Sequence, residues 1–385
     1  MLITGTKPHI SLRAATTTPT IALILLSALL LTVSCRKEET VIRASKTEIP
    51  QASSFEGGFY LLNEGNMGSN KCTLDRYDGD SRTYWRNIFP WKNPGIAMEL
   101  GDVGNDLKIN GDRLYAVINC SNLVEVMNLA DATHIAQIPI ANCRYICFDS
   151  EYAYVSSYAG RMVSGPGDRL GRVVRIALKT LTITGECETG YQPEEMVIYG
   201  RRLFVANSGG YNAPDYDDRI SVIDLESFSP AGEIRIAPNL HRMALCSDGS
   251  IWVNSRGNYA DIPSRLLRVN PEDFSVLSTD LACSGFTEHE GTMYLYGHDG
   301  DGYIFKRFRL DGSDYSASSA EDCGVEGIRY PYGIYVNPWT DELLILDAGD
   351  FVTPGKLLCY DREGKLLWTT TTGDIPSRIA FFEGK

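Results

Sequence analysis

The chain has 385 residues and a formal net charge of −13, with 43% hydrophobic and 22% charged residues. That length and composition suit a large packed core and exclude wholesale disorder. The acidity argues against the clustered basic surface that a nucleic-acid partner requires. The 36 glycines and 21 tyrosines favour many strands and tight turns over a helical bundle.

Residues 1–34 read as a targeting segment. Lys7 and Arg13 precede a mostly apolar run of 13 residues, Ile21 to Val33, too short for the roughly 20 needed to cross a bilayer. Such a run fits a secretory signal. It ends in Thr32-Val33-Ser34-Cys35, which resembles a bacterial lipobox with Thr32 in place of the expected leucine. The resemblance implies a lipid on Cys35, holding the protein on a membrane without crossing it. Arg36-Lys37-Glu38-Glu39 resembles the surface-export signal of Bacteroidetes lipoproteins. Residues 35–57, with Pro50 and Ser53-Ser54, are expected to form a flexible tether. The body is acidic, so attachment to an anionic membrane must come from the lipid and not from a basic patch. After Cys35, cysteines stand at 72, 120, 143, 147, 187, 246, 283, 323 and 359, an odd set that suits buried free thiols better than a disulfide framework.

Residues 58–385 are a repeat. An apolar strand recurs as Phe59-Tyr-Leu-Leu62, Leu114-Tyr-Ala-Val117, Ala153-Tyr-Val-Ser156, Leu203-Phe-Val-Ala206, Ile251-Trp-Val-Asn254, Met293-Tyr-Leu-Tyr296 and Leu343-Leu-Ile-Leu346. A following strand recurs as often, for example Ile220-Ser-Val-Ile-Asp224 and Leu266-Leu-Arg-Val-Asn270. Seven units of about 47 residues, each with four strands, predict an all-β, seven-bladed β-propeller. The chain starts with a second strand and ends with Ile375-Pro-Ser-Arg-Ile-Ala-Phe-Phe382, which matches a first strand. The C-terminal strand should therefore pair with the N-terminal blade and close the ring, hiding two sheet edges.

The turns between third and fourth strands are short, such as Asn270-Pro-Glu-Asp273. The loops between second and third strands are longer, including Asn63 to Asn70, Ser156 to Gly171, Asn207 to Asp218, Asn254 to Asp261 and Asp347 to Phe351. Together with the blade connections they decorate one face, where binding residues usually sit. The aromatic candidates are Trp91, Tyr158, Tyr211, Tyr259, Phe286 and Tyr332. The amide candidates are Asn63, Asn66 and Asn207. The basic candidates are Arg144, His241, Arg242, Arg256 and Arg378. Aromatic faces with amide and guanidinium donors suit a large, flat, partly polar ligand. Neither Gly-x-Ser-x-Gly nor His-Glu-x-x-His occurs, so no enzyme activity, metal or cofactor is expected. Asp299-Gly-Asp301 begins like a calcium loop but has Leu310 at the position of the bidentate glutamate.

Asn207 after Leu203-Phe-Val-Ala206, the strand Ile220-Ser-Val-Ile-Asp224, and Pro193, Pro331 and Pro376 at the starts of first strands resemble the YncE-like seven-bladed propellers over residues 58–385. With the lipobox, the export signal and Phe59 to Asn70, the chain looks like Bacteroidetes surface propeller lipoproteins. That likeness implies a cell-surface, lipid-anchored outer-membrane protein. It would capture cobalamin or a related corrinoid and pass it to a TonB-dependent outer-membrane transporter. A non-catalytic scaffold or a glycan-binding component of another uptake complex is the alternative.

Overall fold

The computed structural model describes residues 42–96, 99–160 and 169–384. The leader, Cys35, the export segment and part of the Ser156–Gly171 loop lie outside the described residues.

Seven antiparallel sheets follow one another along the chain. Blades 2 to 7 are four-stranded and span residues 104–139, 143–188, 193–235, 240–278, 285–322 and 331–374. Blade 1 combines Gly57–Asn63, Thr73–Asp78 and Thr83–Arg86 with the C-terminal strand Pro376–Glu383. Arg378 pairs with Leu62 and Ile379 with Leu61. The ring is thus closed by the last strand of the chain, which covers the inner edge of Gly57–Asn63.

Strand composition follows position in the blade. The second strands are buried on both faces, as in Ile251–Ser255 and Leu343–Asp347, so they read as short unbroken apolar runs. The fourth strands of blades 2 to 6 are largely exposed. Ser229–Arg235 is exposed at every residue except Ile234, and its charged side chains discourage pairing with another chain. Seven apolar clusters fill the seven seams between neighbouring blades. Trp252 and Phe308, 5.4 Å apart, join blades 5 and 6 in this way. All nine cysteines among the described residues are free thiols.

One expectation is corrected. Residues 42–57 were expected to belong to the flexible tether, yet they pack on the propeller. Ser45–Glu48 adds a fifth, outermost strand to blade 1, pairing with Thr83–Arg86. Ile49, Ala52 and Phe55 enter the apolar seam between blades 1 and 7. Phe55 stacks on Trp339 at 5.0 Å, and the Ser53 hydroxyl donates to Glu342 at 2.5 Å. The polar composition of this stretch concealed three apolar side chains spaced to reach the closure seam.

A channel cavity built by strand bulges

The first strands of neighbouring blades pack against one another around the ring and form the wall of a central channel. Six of these seven strands carry a register shift near their start. In blade 3, Arg144 and Tyr145 fall between the pairs Cys143–Ser157 and Ile146–Val155. In blade 4, Glu194 and Glu195 occupy the same place. In blade 5 it is His241 and Arg242. Asn105, Tyr332 and Ser377 sit in the corresponding shifts of blades 2, 7 and 1. A bulge inserts one residue and re-aims side chains. Here it brings consecutive polar residues to the channel instead of sending every second one into a seam. The first strand of blade 6, with Phe286, pairs regularly.

Of these residues, Asn105, Arg144, Tyr145, His241, Arg242, Phe286, Tyr332 and Ser377 line a cavity of about 850 Å3 together with the loop residues around 259–264 and 298–300. The opening therefore lies on the face that carries the long loops. Tyr259 stands at the cavity with 71% of its surface exposed, and Tyr216 meets its ring edge-on. A further aromatic run passes from His298 through Tyr303 and Tyr330 to Phe351 and Tyr332. A second, smaller cavity of about 370 Å3 shares Arg242, Tyr335 and Arg378 with the first and is lined by Asp106, Lys108 and Glu195.

The wall is a network of opposite charges. Arg144 pairs with Glu194 at 3.2 Å and donates to Asn105 at 2.9 Å. Arg242 pairs with Glu195 at 3.1 Å, and Lys108 approaches the same carboxylate at 3.6 Å. Arg378 lies 3.6 Å from Asp106. Two of these carboxylates also tie blades together: Asp106 accepts from the Ile146 amide, and Glu195 from the Met243 amide. Burial pushes Glu195 toward neutrality, but Arg242, Lys108 and Arg378 outweigh it and hold the group below the ordinary carboxylate range. Burial raises Glu64, against the opposing pull of its hydrogen bond from Tyr332 and of nearby arginines.

His241 is the centre of a hydrogen-bonded chain. Arg256 donates to its Nε2 at 2.8 Å, and the Tyr145 hydroxyl reaches the same atom at 2.7 Å. Arg378 donates to the Tyr145 oxygen at 3.2 Å. A guanidinium only donates, so Nε2 is an acceptor and the ring proton sits on Nδ1. Burial, then the charges of Arg256, Arg242, Arg378 and Arg144, lower His241 well below its usual value. The ring stays neutral at physiological pH.

The structure brings Arg144, His241, Arg242, Arg256, Tyr259, Phe286, Tyr332 and Arg378 to one cavity. Tyr158 lies just behind it, its hydroxyl on Glu194, with Tyr211 edge-on to its ring. The amide candidates have other roles. Asn63 is fully buried and donates to Thr73. Asn207 is fully buried and donates to the Arg219 carbonyl and Ser221. Asn66 donates to the Phe351 carbonyl. Trp91 belongs to a short helix, Ile88–Lys92, where it stacks on Trp85 at 5.1 Å, away from the cavity lining. Asn254, at an equivalent strand end, joins blade 5 to the Cys283 and Ser284 carbonyls of the next connection. The recurring asparagine is thus an internal fastener. Sequence reading missed Glu64, Asn105, Tyr145, Glu194, Tyr296 and Tyr303. The signal that finds most of the wall is the second and third residue of each first strand.

His289 Nε2 donates to Asp341 Oδ1 at 2.9 Å, and Asp341 also pairs with Arg362. With Glu290 these groups come close enough to hold a cation, but the arginine already offsets the carboxylate charge.

The sequence matches the profile of a domain of unknown function, DUF5074, over residues 57–366. No functionally curated protein matches it. A quinonprotein alcohol dehydrogenase-like protein of Bacteroides thetaiotaomicron has a similar structure, with a TM-score of 0.61 and 17% identity, over 85% of this chain and 78% of that one. A hypothetical selenium-binding protein of Sulfolobus tokodaii gives 0.60 and 11% over 87% and 95% of the two chains. Citrobacter koseri AztD gives 0.53 and 11% over 86% and 99%. At these identities the likeness concerns the propeller fold alone. The match over residues 57–366 places the chain in the DUF5074 family.

Proposed function

We propose that the protein is a non-catalytic binding protein that captures a small molecule in the channel cavity. The observation that carries this reading is the cavity itself, about 850 Å3 at the loop-rich face, with guanidinium donors from blades 1, 3 and 5 and aromatic rings at the mouth. Small-molecule sites are concave, largely preformed and furnished with a few convergent polar groups. A closed ring with seven packed seams holds such groups without a large ordering cost on binding. The one imidazole among the bulge residues accepts from Arg256 and Tyr145, with no serine or cysteine nucleophile on it among the described residues. That arrangement favours capture over hydrolysis.

The ligand we propose is a corrinoid such as cobalamin, passed on to a TonB-dependent outer-membrane transporter by a protein held at the cell surface through lipid on Cys35. A corrin is flat and ringed by amide carbonyls, which are acceptors for Arg144, Arg242, Arg256 and Arg378. It is larger than a drug-sized ligand, so it would fill the cavity and rest on Tyr259 at the rim. The test is the absorbance spectrum of protein purified from its own host, followed by titration of the ligand-free chain with cyanocobalamin. Corrin absorbance and saturable binding support the reading. A colourless protein that binds no cyanocobalamin at micromolar concentrations overturns it.

A further inference from the structure

We infer that the channel cavity selects a ligand carrying an oxyanion, a carboxylate or a phosphate, that seats on Arg256, with a flat body against Tyr259 and Phe286. This rests on the capture reading above and names the chemistry of that site.

The distribution of partners is uneven along the wall. Arg144, Arg242 and Arg378 each have a carboxylate within 4 Å, at Glu194, Glu195 and Asp106. Arg256 has none among the described residues. Its protein hydrogen bond goes to an imidazole nitrogen, His241 Nε2, at 2.8 Å. Such a partner fixes the guanidinium in place without pairing it to a carboxylate, and Glu194 acts on it only through space. Among the described residues the remaining N–H groups of Arg256 have no protein acceptor, and the residue lines the cavity. Arg256 is part-buried, and Glu194 favours its charge only from a distance; among the described residues no carboxylate bonds it directly, so the site favours an anion that does. A planar guanidinium fork matches carboxylate and phosphate oxygens in particular.

The surrounding groups reinforce this polarity. Of the two acids that line the cavity, Glu64 accepts from Tyr332 and Asp299 sits at the mouth in an exposed turn. His241 cannot compete for the anion's place, and its second nitrogen is buried without a partner among the described residues. His241 acts here as a positioning residue: Tyr145, itself held by Arg378, fixes the ring that fixes Arg256. The apolar half of the ligand has its counterpart in Phe286 and the exposed ring of Tyr259.

The probes are 2-naphthoate, 1-naphthyl phosphate and the uncharged 2-naphthamide, titrated into the purified full-length chain by calorimetry in low salt. Both anions should bind about tenfold or more tightly than the amide, with the tighter of the two identifying the oxyanion. Arg256→Gln should bring the three probes to similar affinity, while Arg256→Lys keeps part of the preference. His241→Gln, whose amide oxygen can still accept from Arg256, should weaken anion binding less than Arg256→Gln does, and should not steepen its pH dependence between about 5.5 and 7.5, because a titratable ring has been removed. Equal binding of anions and amide by the unaltered chain overturns the inference, as does an undiminished preference in Arg256→Gln. If Arg256→Gln does not fold, the unaltered chain decides through the anion-to-amide ratio and its loss at about 0.5 M sodium chloride. Failure of every naphthyl probe to bind overturns it too, and leaves the capture reading to the separate cyanocobalamin titration.

Discussion

Arg256 donates to Nε2 of His241 at 2.8 Å, so a neutral imidazole is built into the channel wall beneath four guanidinium groups. Protonating this ring would place a fifth positive charge beside Arg144, Arg242, Arg256 and Arg378 and would break the bond to Arg256. The sign of the stability effect follows. The folded state holds His241 below its unfolded value, so between the two the unfolded chain binds more protons. Stability therefore falls as the pH drops below about 6.5, by at most about 1.4 kcal/mol per pH unit from this residue. Urea unfolding at pH 7.5 and 5.5 measures it, and His241→Gln should show a smaller loss than the unaltered chain. An equal loss in both would assign the acid sensitivity to the carboxylates instead.

Glu195 predicts a loss in the same direction at more acid pH. Its folded-state value lies below the ordinary one, so its stabilising contribution is complete above the unfolded value and disappears as the pH falls through the folded one. Glu195→Gln removes the partner of Arg242 and Lys108 and strands two cations in the channel. A cost of about 3 kcal/mol is expected in chemical denaturation, together with a flatter acid limb of the stability profile.

The closure strand predicts a different failure. Pro376–Glu383 supplies the whole first strand of blade 1, and Ile379 belongs to the seam with blade 7. Removing residues 376–385 exposes Gly57–Asn63 as an open edge and should abolish cooperative melting. A truncated protein that melts as the full chain does would contradict closure by this strand.

At the same seam, Phe55→Ala removes a ring stacked on Trp339 and tilted against Tyr77. A loss of about 3 kcal/mol is expected, although Phe55 lies in a stretch whose sequence suggests a linker. Unchanged stability would show that residues 42–57 contribute no packing energy.

Much of the fold was legible because the propeller repeats itself. Leu203-Phe-Val-Ala206 and its six counterparts are buried on both faces, so their apolar runs mark every blade, and the unmatched strand at the C-terminus implied the closure. The site was only half legible. Arg144, His241, Arg242 and Arg378 stand in strands and reach the channel because of bulges, which have no periodic signature. Asn63 and Asn207 looked like ligand amides because they end strands beside long loops. The same position explains their burial: the chain turns there, and an amide side chain satisfies backbone and hydroxyl groups left behind by the ending ladder. Trp91 was misleading for another reason, since its loop folds into a helical turn on Trp85.

The contrast between fasteners and cavity residues is itself a prediction. Asn254→Ala should cost about 1–3 kcal/mol of stability, because the Cys283 and Ser284 carbonyls and the Arg242 amide lose a buried partner. It should also weaken ligand binding through the displaced His241–Arg242 bulge. Trp91→Ala should leave ligand binding as it was. Calorimetric titration of both variants, beside their melting curves, separates the two roles.

The central claim is that a ligand occupies the channel cavity, and equilibrium dialysis against cyanocobalamin tests it most directly. Ser284 is exposed and lines the cavity, so Ser284→Trp puts an indole into space that a corrin would need without disturbing a seam. The account predicts one corrinoid retained per unaltered chain and none by Ser284→Trp of the same melting temperature. Equal retention by both proteins, or by neither, would contradict it.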